Sequence, residues 1–391
     1  MPWSEATAMD QRVQFIRDWR RGRHTVSELC SMYGVSRKTG YKWIERYVEQ
    51  GPDGLLDRSH AAAAVHNKTA PEVEQALLAL RVRHPSWGAK KLLVKAAERH
   101  PGMVFPGRST ICDILSRNGL VAKKARRRVV GHPGRPASTI VVPNDCWSAD
   151  FKGQFRTRDG VYCYPLTVTD NYSRYLLQCQ ALAGTAVSPS KTVFTRLFRE
   201  YGLPRRMRTD NGVPFASATL GRLSQLSVWW IRLGILPEFI EPGKPQQNGK
   251  HERMHRTLKD ETTKPPAANS RSQQRKFNLF RREYNEERPH EALDMRTPSQ
   301  LYQPSPRPMP DKLPSIEYPD RFEVRYVSAN GGIRWKKQWV NVSSALMGEH
   351  VGLEEVDDGL WDVYFGVMKL GRLHERHMRI EDVMGRLKRR V

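Results

Sequence analysis

The chain has 391 residues, with 65 Lys and Arg against 41 Asp and Glu, for a formal net charge of +24. That length exceeds one ordinary core and predicts two to four domains at roughly 150 residues each, and so large a positive excess points to a polyanionic ligand. Hydrophobic content of 39% is enough to fold, no apolar run reaches the roughly 18 residues of a membrane span, and Glu5 and Asp10 close behind Met1 break any signal-peptide pattern, so no membrane partner and a cytoplasmic, nucleoid-associated location are expected.

From Asp10 to Tyr47 the pattern predicts three short helices forming a helix-turn-helix domain over residues 8–58. Val13, Phe15, Ile16 and Trp19 stripe the first helix, and Val26, Leu29 and Cys30 stripe the second. Tyr33-Gly34-Val35-Ser36 supplies the tight turn. Ser36 then caps a third helix that sends Tyr41, Trp43, Ile44 and Tyr47 toward the core and leaves Arg37, Lys38, Thr39 and Lys42 outside. The second helix of such a pair enters the major groove, so those four are candidate DNA contacts. A plain three-helix bundle with a solvated basic face is the competing reading.

Gln50-Gly51-Pro52-Asp53-Gly54 and the Ala61 to Ala64 run read as a break and a linker. A second helix-turn-helix domain is expected over residues 68–122. Its first helix starts at Thr69-Ala70-Pro71-Glu72 and carries Val73, Leu77, Leu78 and Leu80; its second runs from Trp87 to Ala97; Ser109-Thr110 cap its third. Between Asp113 and Asp145 there is no acidic residue. The basic linker at 123–143 holds Lys123, Lys124, Arg126, Arg127 and Arg128, which would track a phosphate backbone in a salt-dependent way or form only a solvated connector.

An α/β core is expected over residues 144–304, with helices on both faces of a mixed sheet. Strands are predicted at Cys146 to Phe155, Tyr162 to Thr169, Tyr175 to Ala181, Arg206 to Thr209 and Pro237 to Ile240. Helices are predicted at Val187 to Tyr201, Phe215 to Leu233, from near Gly249 onward, and Arg271 to Glu286. A Pro-rich connector, Thr297 to Pro314, leads to short strands over 315–375 (Phe322 to Val327, Ile333 to Val340, Val351 to Val356 and Leu360 to Phe365), which read as a small β-barrel.

Three carboxylates stand out in this core: Asp150 in Trp-Ser-Ala-Asp-Phe, Asp210 in Thr-Asp-Asn-Gly, and Glu252 in Lys-His-Glu-Arg. Each closes a strand or opens a helix, so folding can bring them together. Two divalent ions about 3.5 to 4 Å apart need acids converging in this way. Asp170, in Asp-Asn-Tyr-Ser-Arg, has turn chemistry and is expected to cap backbone. His251 and His255 flank Glu252 at helical spacing, where they either pack or touch DNA. Lys244, Asn248 and Lys250 lie on a Gly- and Pro-rich loop suited to strand ends and sugar phosphates.

The block from Asp145 to about Tyr302 resembles the integrase core of bacterial insertion-sequence transposases of the DDE class, which share a ribonuclease-H-like fold with retroviral integrases. The residues carrying the likeness are Thr209-Asp210-Asn211-Gly212, the loop from Pro242 to Gly249, Glu252-Arg253-Met254-His255-Arg256-Thr257-Leu258-Lys259, Tyr284-Asn285, Arg288-Pro289-His290 and Thr297-Pro298. The flanking helical pair and C-terminal strands resemble accessory domains of the same group. The resemblance implies a DNA transposase that binds the terminal inverted repeats of a mobile element. It implies two Mg2+ (or Mn2+) ions held by Asp150, Asp210 and Glu252, strand cleavage leaving a 3′-hydroxyl, and attack of that hydroxyl on target DNA. Lys259, two turns beyond Glu252 on the same helix face, matches the family's DNA-contacting basic residue, and Arg256 is a further candidate contact. Double-stranded DNA and a homo-oligomer on DNA are the implied partners. One departure is that 41 residues, 211 to 251, separate Asp210 from Glu252. This is longer than usual, and the extra length is assigned to the Phe215 to Leu233 segment.

Retroviral integrases also carry an N-terminal His/His/Cys/Cys zinc module. Here His60 and His66 are followed by no paired cysteines, and Cys30, Cys112, Cys146, Cys163 and Cys179 form no C-x-x-C pair. Neither zinc nor a disulfide framework is expected. A DNA-binding regulator without chemistry and a nuclease that does not join ends are the rival functions; the intact acidic set argues against the first and the paired helix-turn-helix units against the second.

Overall fold

The computed structural model describes residues 7–58, 68–121, 138–241 and 245–382. Lys123, Lys124, Arg126, Arg127, Arg128 and Lys244, with His60 and His66, lie outside the described residues. The chain divides into two compact units, Met1–Lys68 and Thr69–Val391. No described helix is long and apolar enough to cross a membrane.

The first unit is three helices, α1 (Ala8–Arg20), α2 (Val26–Met32) and α3 (Arg37–Gln50). Their starts are set by side-chain caps. Thr7 and Asp10 form a reciprocal capping box on α1, Thr25 and Glu28 do the same on α2, and Ser36 Oγ accepts from the Thr39 N–H on α3, each worth ~1 kcal/mol. Phe15, Ile16, Leu29, Cys30, Ile44 and Leu55 form the core. Two predicted core residues differ: Val13 is 46% and Tyr41 58% exposed. Their place is taken by Gly40, which is buried where α3 meets α2; a Cβ there would collide with Cys30 Sγ. Arg37, Lys38 and Lys42 remain exposed, while Thr39 is partly covered and bonded to Ser36.

In the second unit, α4 (Pro71–Arg83), α5 (Ala89–Arg99) and α6 (Arg108–Arg117) pack around Leu77, Trp87, Leu92, Ile111 and Ile114. Ser109 and Thr110 do not cap α6. Its N-cap is Gly107, with no side-chain bond, so both residues lie inside the first turn, exposed. This small domain docks on the α/β core through polar and charged contacts: His84 Nδ1 lies 2.7 Å from Glu283, Arg99 3.3 Å from Glu287 and Lys90 2.9 Å from Glu291, while Ser86 joins the core's Arg288 on Glu261.

The core sheet contains β1 (Cys146–Phe151), β2 (Phe155–Arg156), β3 (Tyr162–Asp170), β4 (Leu176–Leu182), β5 (Arg206–Thr209) and β6 (Leu236–Phe239). They run in the order β2-β3-β1-β5-β6, with β4 also on β3. β3 is antiparallel to β1 and β4, whereas β1, β5 and β6 are parallel. The single strand predicted from Cys146 to Phe155 is broken before β2, where Gly153 takes a φ of 72°, a conformation that favours glycine. Alternation along β1 sends Trp147 and Ala149 to one face, against α7 (Val187–Tyr201) and α8 (Gln225–Arg232) with Phe194, Phe198, Trp229 and Trp230. On the opposite face α9 (Gly249–Thr262) and α10 (Ser270–Arg282) cover Cys163, Leu176 and Cys179 with Met254, Leu258, Phe277 and Phe280. The core is thus a mixed sheet with helices on both faces, as expected.

The predicted Phe215 to Leu233 helix is shorter. Ser224 caps α8, and before it Leu220–Arg222 form a 3-10 turn in which Gly221 has a φ of 66°. Leu220, Leu223, Val228 and Ile231 join the core of the C-terminal domain, so the long spacing before Glu252 contains that domain's seat.

The C-terminal domain departs from the expected barrel. β7 (Glu323–Tyr326), β10 (His350–Asp357), β11 (Leu360–Phe365), β12 (Met368–His374) and β13 (Arg379–Asp382) form one open antiparallel sheet in the order β13-β12-β11-β10-β7. β8 (Gly332–Trp335) and β9 (Gln338–Asn341) form a separate hairpin. The predicted strand Ile333 to Val340 is that hairpin, because Lys336 and Lys337, with φ of 41° and 65°, turn the chain in two residues. Among the described residues no ladder joins hairpin and sheet into a closed cylinder.

Filling the α2–α3 contact should destabilise the first unit. Gly40→Val is expected to cost about 1–3 kcal/mol through overpacking against Cys30, read as an earlier unfolding transition in a urea titration of the full chain, with Val13→Ala as a near-neutral surface control.

Candidate active site

Asp150 is the second-to-last residue of β1, and Asp210 follows the last residue of β5. The two strands are parallel with Cys146 opposite Arg206, Trp147 opposite Met207 and Ser148 opposite Arg208. Continuing that register sets Asp150 level with Asp210 at the C-terminal ends of neighbouring strands, where open α/β sheets commonly hold ligands. Asp210 is held by its own turn: its Oδ1 accepts the Gly212 N–H at 3.1 Å, and Asn211 donates from Nδ2 to the Ile240 carbonyl at 2.9 Å. A Cβ at Gly212 would sit 3.1 Å from Asp210 Oδ2, which accounts for the glycine.

Glu252 lies in the first turn of α9, exposed, with Arg256 and Lys259 exposed further along. Asp150 is half-buried, its side chain 20% exposed. Burial foremost, then the charge of Asp210 and to a smaller degree that of Glu252, push its pKa up to about 7. The three acids therefore share one electrostatic environment. The tightest group of ligand atoms among the described residues is a different one: Asp150, His251 and His255, all within 4.8 Å of one another. Asp210 and Glu252 lie outside that group.

Both histidines are buried, His251 at 1% and His255 at 5% exposure. Burial lowers the pKa of each, to about 3 for His251. His251 Nε2 and His255 Nε2 lie 2.7 and 2.6 Å from the Thr167 hydroxyl, which also donates to the Asp150 carbonyl at 3.0 Å. Thr169 Oγ1 is 2.8 Å from His251 Nδ1. Of the two readings of these histidines, packing is the one the structure adopts. The helical spacing of His251, Met254, His255 and Leu258 on one buried face carried that signal, whereas nothing in the sequence marked Thr167 and Thr169 as their partners.

One expected DNA contact, Asn248, turns inward, while Lys250 stays exposed. Asn248 is 5% exposed, with its Oδ1 enclosed and unpartnered, because the turn Pro245–Asn248 folds it under the start of α9. Lys250 donates from Nζ to the Asn171 carbonyl at 3.1 Å, and burial lowers its pKa. Asp170 is wholly buried and caps backbone as expected, accepting from the Asn144 and Ser173 N–H groups at 2.9 and 2.7 Å. Cys30, Cys146, Cys163 and Cys179 are buried free thiols, and Cys112 is exposed.

A mixed sheet of this order with helices on both faces is a ribonuclease-H-like integrase core. Residues 141–245 and 233–298 match two families described as Integrase core domain, 11–63 match a Helix-turn-helix domain, 39–115 a Homeodomain-like domain, and 322–380 the IS481 family transposase, C-terminal domain. The chain thus carries the integrase core and helix-turn-helix domains found in insertion-sequence transposases, and its residues 322–380 are similar to the C-terminal domain of the IS481 family. It is similar to an uncharacterized protein of insertion element IS407 from Burkholderia multivorans, 26% identical over 249 residues, 61% of this chain and 85% of the relative. It is also similar to an uncharacterized protein of insertion element IS476 from Xanthomonas euvesicatoria, 31% identical over 181 residues, 46% of this chain and 49% of the relative. Among solved structures, the HTLV-2 integrase catalytic core domain in complex with magnesium aligns at 16% identity and a TM-score of 0.34, covering 42% of this chain and 99% of its own.

The raised pKa of Asp150 fixes a pH dependence. Because its folded-state value, about 7, lies above the ordinary 3.8, protonation favours the fold: that stabilisation is complete below pH 3.8 and is lost as pH rises through about 7. In metal-free buffer, Asp150→Asn is expected to gain about 2–4 kcal/mol on the wild type between pH 4 and pH 8, measured by urea unfolding at each pH. A constant difference across that range would contradict it.

Proposed function

We propose that this protein is a DDE-type DNA transposase that binds the terminal inverted repeats of its element, cuts the strands at the ends and joins them to target DNA. The observation that carries this reading is the parallel β1–β5 register, which brings Asp150 level with Asp210; burial foremost and then the charge of Asp210 raise the Asp150 pKa, with Glu252 adding to the rise and Lys152 opposing it.

The residues fit a hard divalent cation, since three carboxylates offer only oxygen donors of the kind Mg2+ and Mn2+ prefer. Asp150, Asp210 and Glu252 would hold it. When bound, a pair of such ions activates the attacking oxygen and stabilises the leaving oxygen of an in-line phosphoryl transfer. The chain's own contribution is position. β1 and β5 hold two acids in register, the Asp210 turn orients its carboxylate, and Lys259 and Arg256 extend from the exposed side of α9 toward DNA phosphates. Arg37, Lys38, Thr39 and Lys42 at the start of α3 read the ends, α6 adds a second reading helix, and Lys123, Lys124, Arg126, Arg127, Arg128 and Lys244 supply further phosphate contacts. Pairing two ends calls for a symmetric homo-oligomer on DNA.

Asp210→Asn is expected to abolish joining of a pre-cut end to plasmid DNA and to leave end binding in a gel shift unchanged; wild-type joining by the variant would sink the assignment. Replacing Arg37 and Lys38 by Ala is expected to weaken binding to the element's ends and to flatten the slope of log affinity against log salt by about 2, with unchanged affinity across salt as the contrary result.

A further inference from the structure

The hydrogens around Thr167 can be counted. Its hydroxyl carries one, and the Asp150 carbonyl oxygen 3.0 Å away can only accept, so the hydrogen goes there. His251 Nε2 and His255 Nε2, at 2.7 and 2.6 Å from the same oxygen, must then both donate into its two lone pairs. Buried at 1% and 5% exposure, where a charged ring is disfavoured, both rings are neutral with the proton on Nε2. His251 Nδ1 is thereby left bare and accepts from Thr169 Oγ1 at 2.8 Å, so both nitrogens of His251 are engaged. His255 Nδ1 is left bare as well. It faces Asp150 Oδ2 at 3.7 Å, beyond hydrogen-bond length.

A bare nitrogen and a carboxylate oxygen thus face each other at 3.7 Å with no hydrogen bond between them. Two donors that each stand about 2.0 to 2.2 Å from one cation lie about 3 to 4 Å apart, which is this separation. We propose that His255, through Nδ1, is a ligand of the divalent cation at Asp150, adding one nitrogen to an otherwise all-oxygen donor set. The proposal rests on the transposase reading, which supplies the cation. His251 is excluded from ligation although it belongs to the same tight cluster, because Thr167 and Thr169 occupy both its nitrogens. Its task is to hold Thr167, and with it the His255 ring, in place. Second partners of this kind fix the tautomer and aim of a ligating histidine. Glu252 and His255 are three residues apart on α9 and so nearly one turn apart on the same side, which lets one helix contribute two ligands. An imidazole in the set also moves preference from Mg2+ toward Mn2+, because nitrogen donors discriminate between these metals more strongly than oxygen donors do.

The test is Mn2+ bound to the tag-free full-length protein, read by pulsed electron paramagnetic resonance. Nitrogen-14 modulation from a directly bound imidazole is expected in the wild type and absent in His255→Asn. That variant should also lose Mn2+ affinity by about tenfold or more, with a smaller loss for Mg2+. The wild-type spectrum decides the matter even where the variant folds poorly. Bound Mn2+ that shows carboxylate coordination without imidazole modulation, or a folded His255→Asn protein that keeps the modulation, overturns the histidine ligand and leaves the acidic site standing. Wild-type protein that binds no Mn2+ at all, with Asp210→Asn indistinguishable from it, overturns both.

Discussion

Holding Asp150 half-buried within the field of Asp210 and Glu252 is the constraint around which this core is built. Like-charged carboxylates repel, and a half-buried one is further penalised by the loss of water. Left to its local preference, the chain would spread Asp150, Asp210 and Glu252 apart. What holds the first two in register is the parallel pairing of β1 with β5. That pairing is fastened from below by Trp147, Phe194, Phe198, Trp229 and Trp230, with rings such as Phe194 and Trp230 only 5.1 Å apart. Each such buried side chain contributes roughly 1.5–3 kcal/mol, so a few of them outweigh the repulsion above. The apolar face of β1 thus supplies the stability that its polar face spends on the site.

The same division recurs on α9. Its buried side carries His251, Met254, His255, Leu258 and Thr262, and its exposed side Glu252, Arg253, Arg256 and Lys259. The helix is seated through Met254 and Leu258 against β3, β4 and α10, which fixes how far Glu252 stands from the sheet. Charged docking of the α4–α6 domain works in the same direction. Glu261, just before the end of α9, binds Ser86 and Arg288, while Glu283, Glu287 and Glu291 bind His84, Arg99 and Lys90. Single surface ion pairs are worth little. A set sharing one interface sets an orientation instead, and it leaves Arg108, Ser109 and Thr110 of α6 exposed.

Local signals were readable where one residue's chemistry decides the outcome. Ser36 as a cap, Asp170 as a backbone acceptor, the range of α7 and the strand Arg206–Thr209 all follow from short patterns. The misreadings came where tertiary contact overrides pattern. Tyr41 fits a helical core stripe, yet Gly40 is buried because two helices approach too closely for a side chain. The Ile333 to Val340 run is apolar enough for one strand, but two lysines in left-handed conformation reverse it. Asn248 sits in a polar segment, and only the folded chain shows it buried at the start of α9. The placement of Asp150 and Asp210 at the ends of paired strands was legible from their flanking motifs. Thr167 was not, since a threonine inside an apolar strand looks like any β-branched residue until its neighbours across the sheet are known.

That threonine shows how a strand can govern a site without presenting a ligand. It lies opposite Asp150 in the β1–β3 register, so its hydroxyl meets the Asp150 backbone carbonyl while the two imidazoles arrive from α9 above. One oxygen therefore ties strand to helix and determines where both imidazole protons reside. A valine of nearly the same shape would keep the packing and remove all three bonds, leaving two buried Nε2–H groups without acceptors, each such loss costing about 1–3 kcal/mol. The polar content of this interior is accordingly no accident of composition: it holds α9, and with it Glu252, at a set distance and angle from the sheet that carries the other two acids.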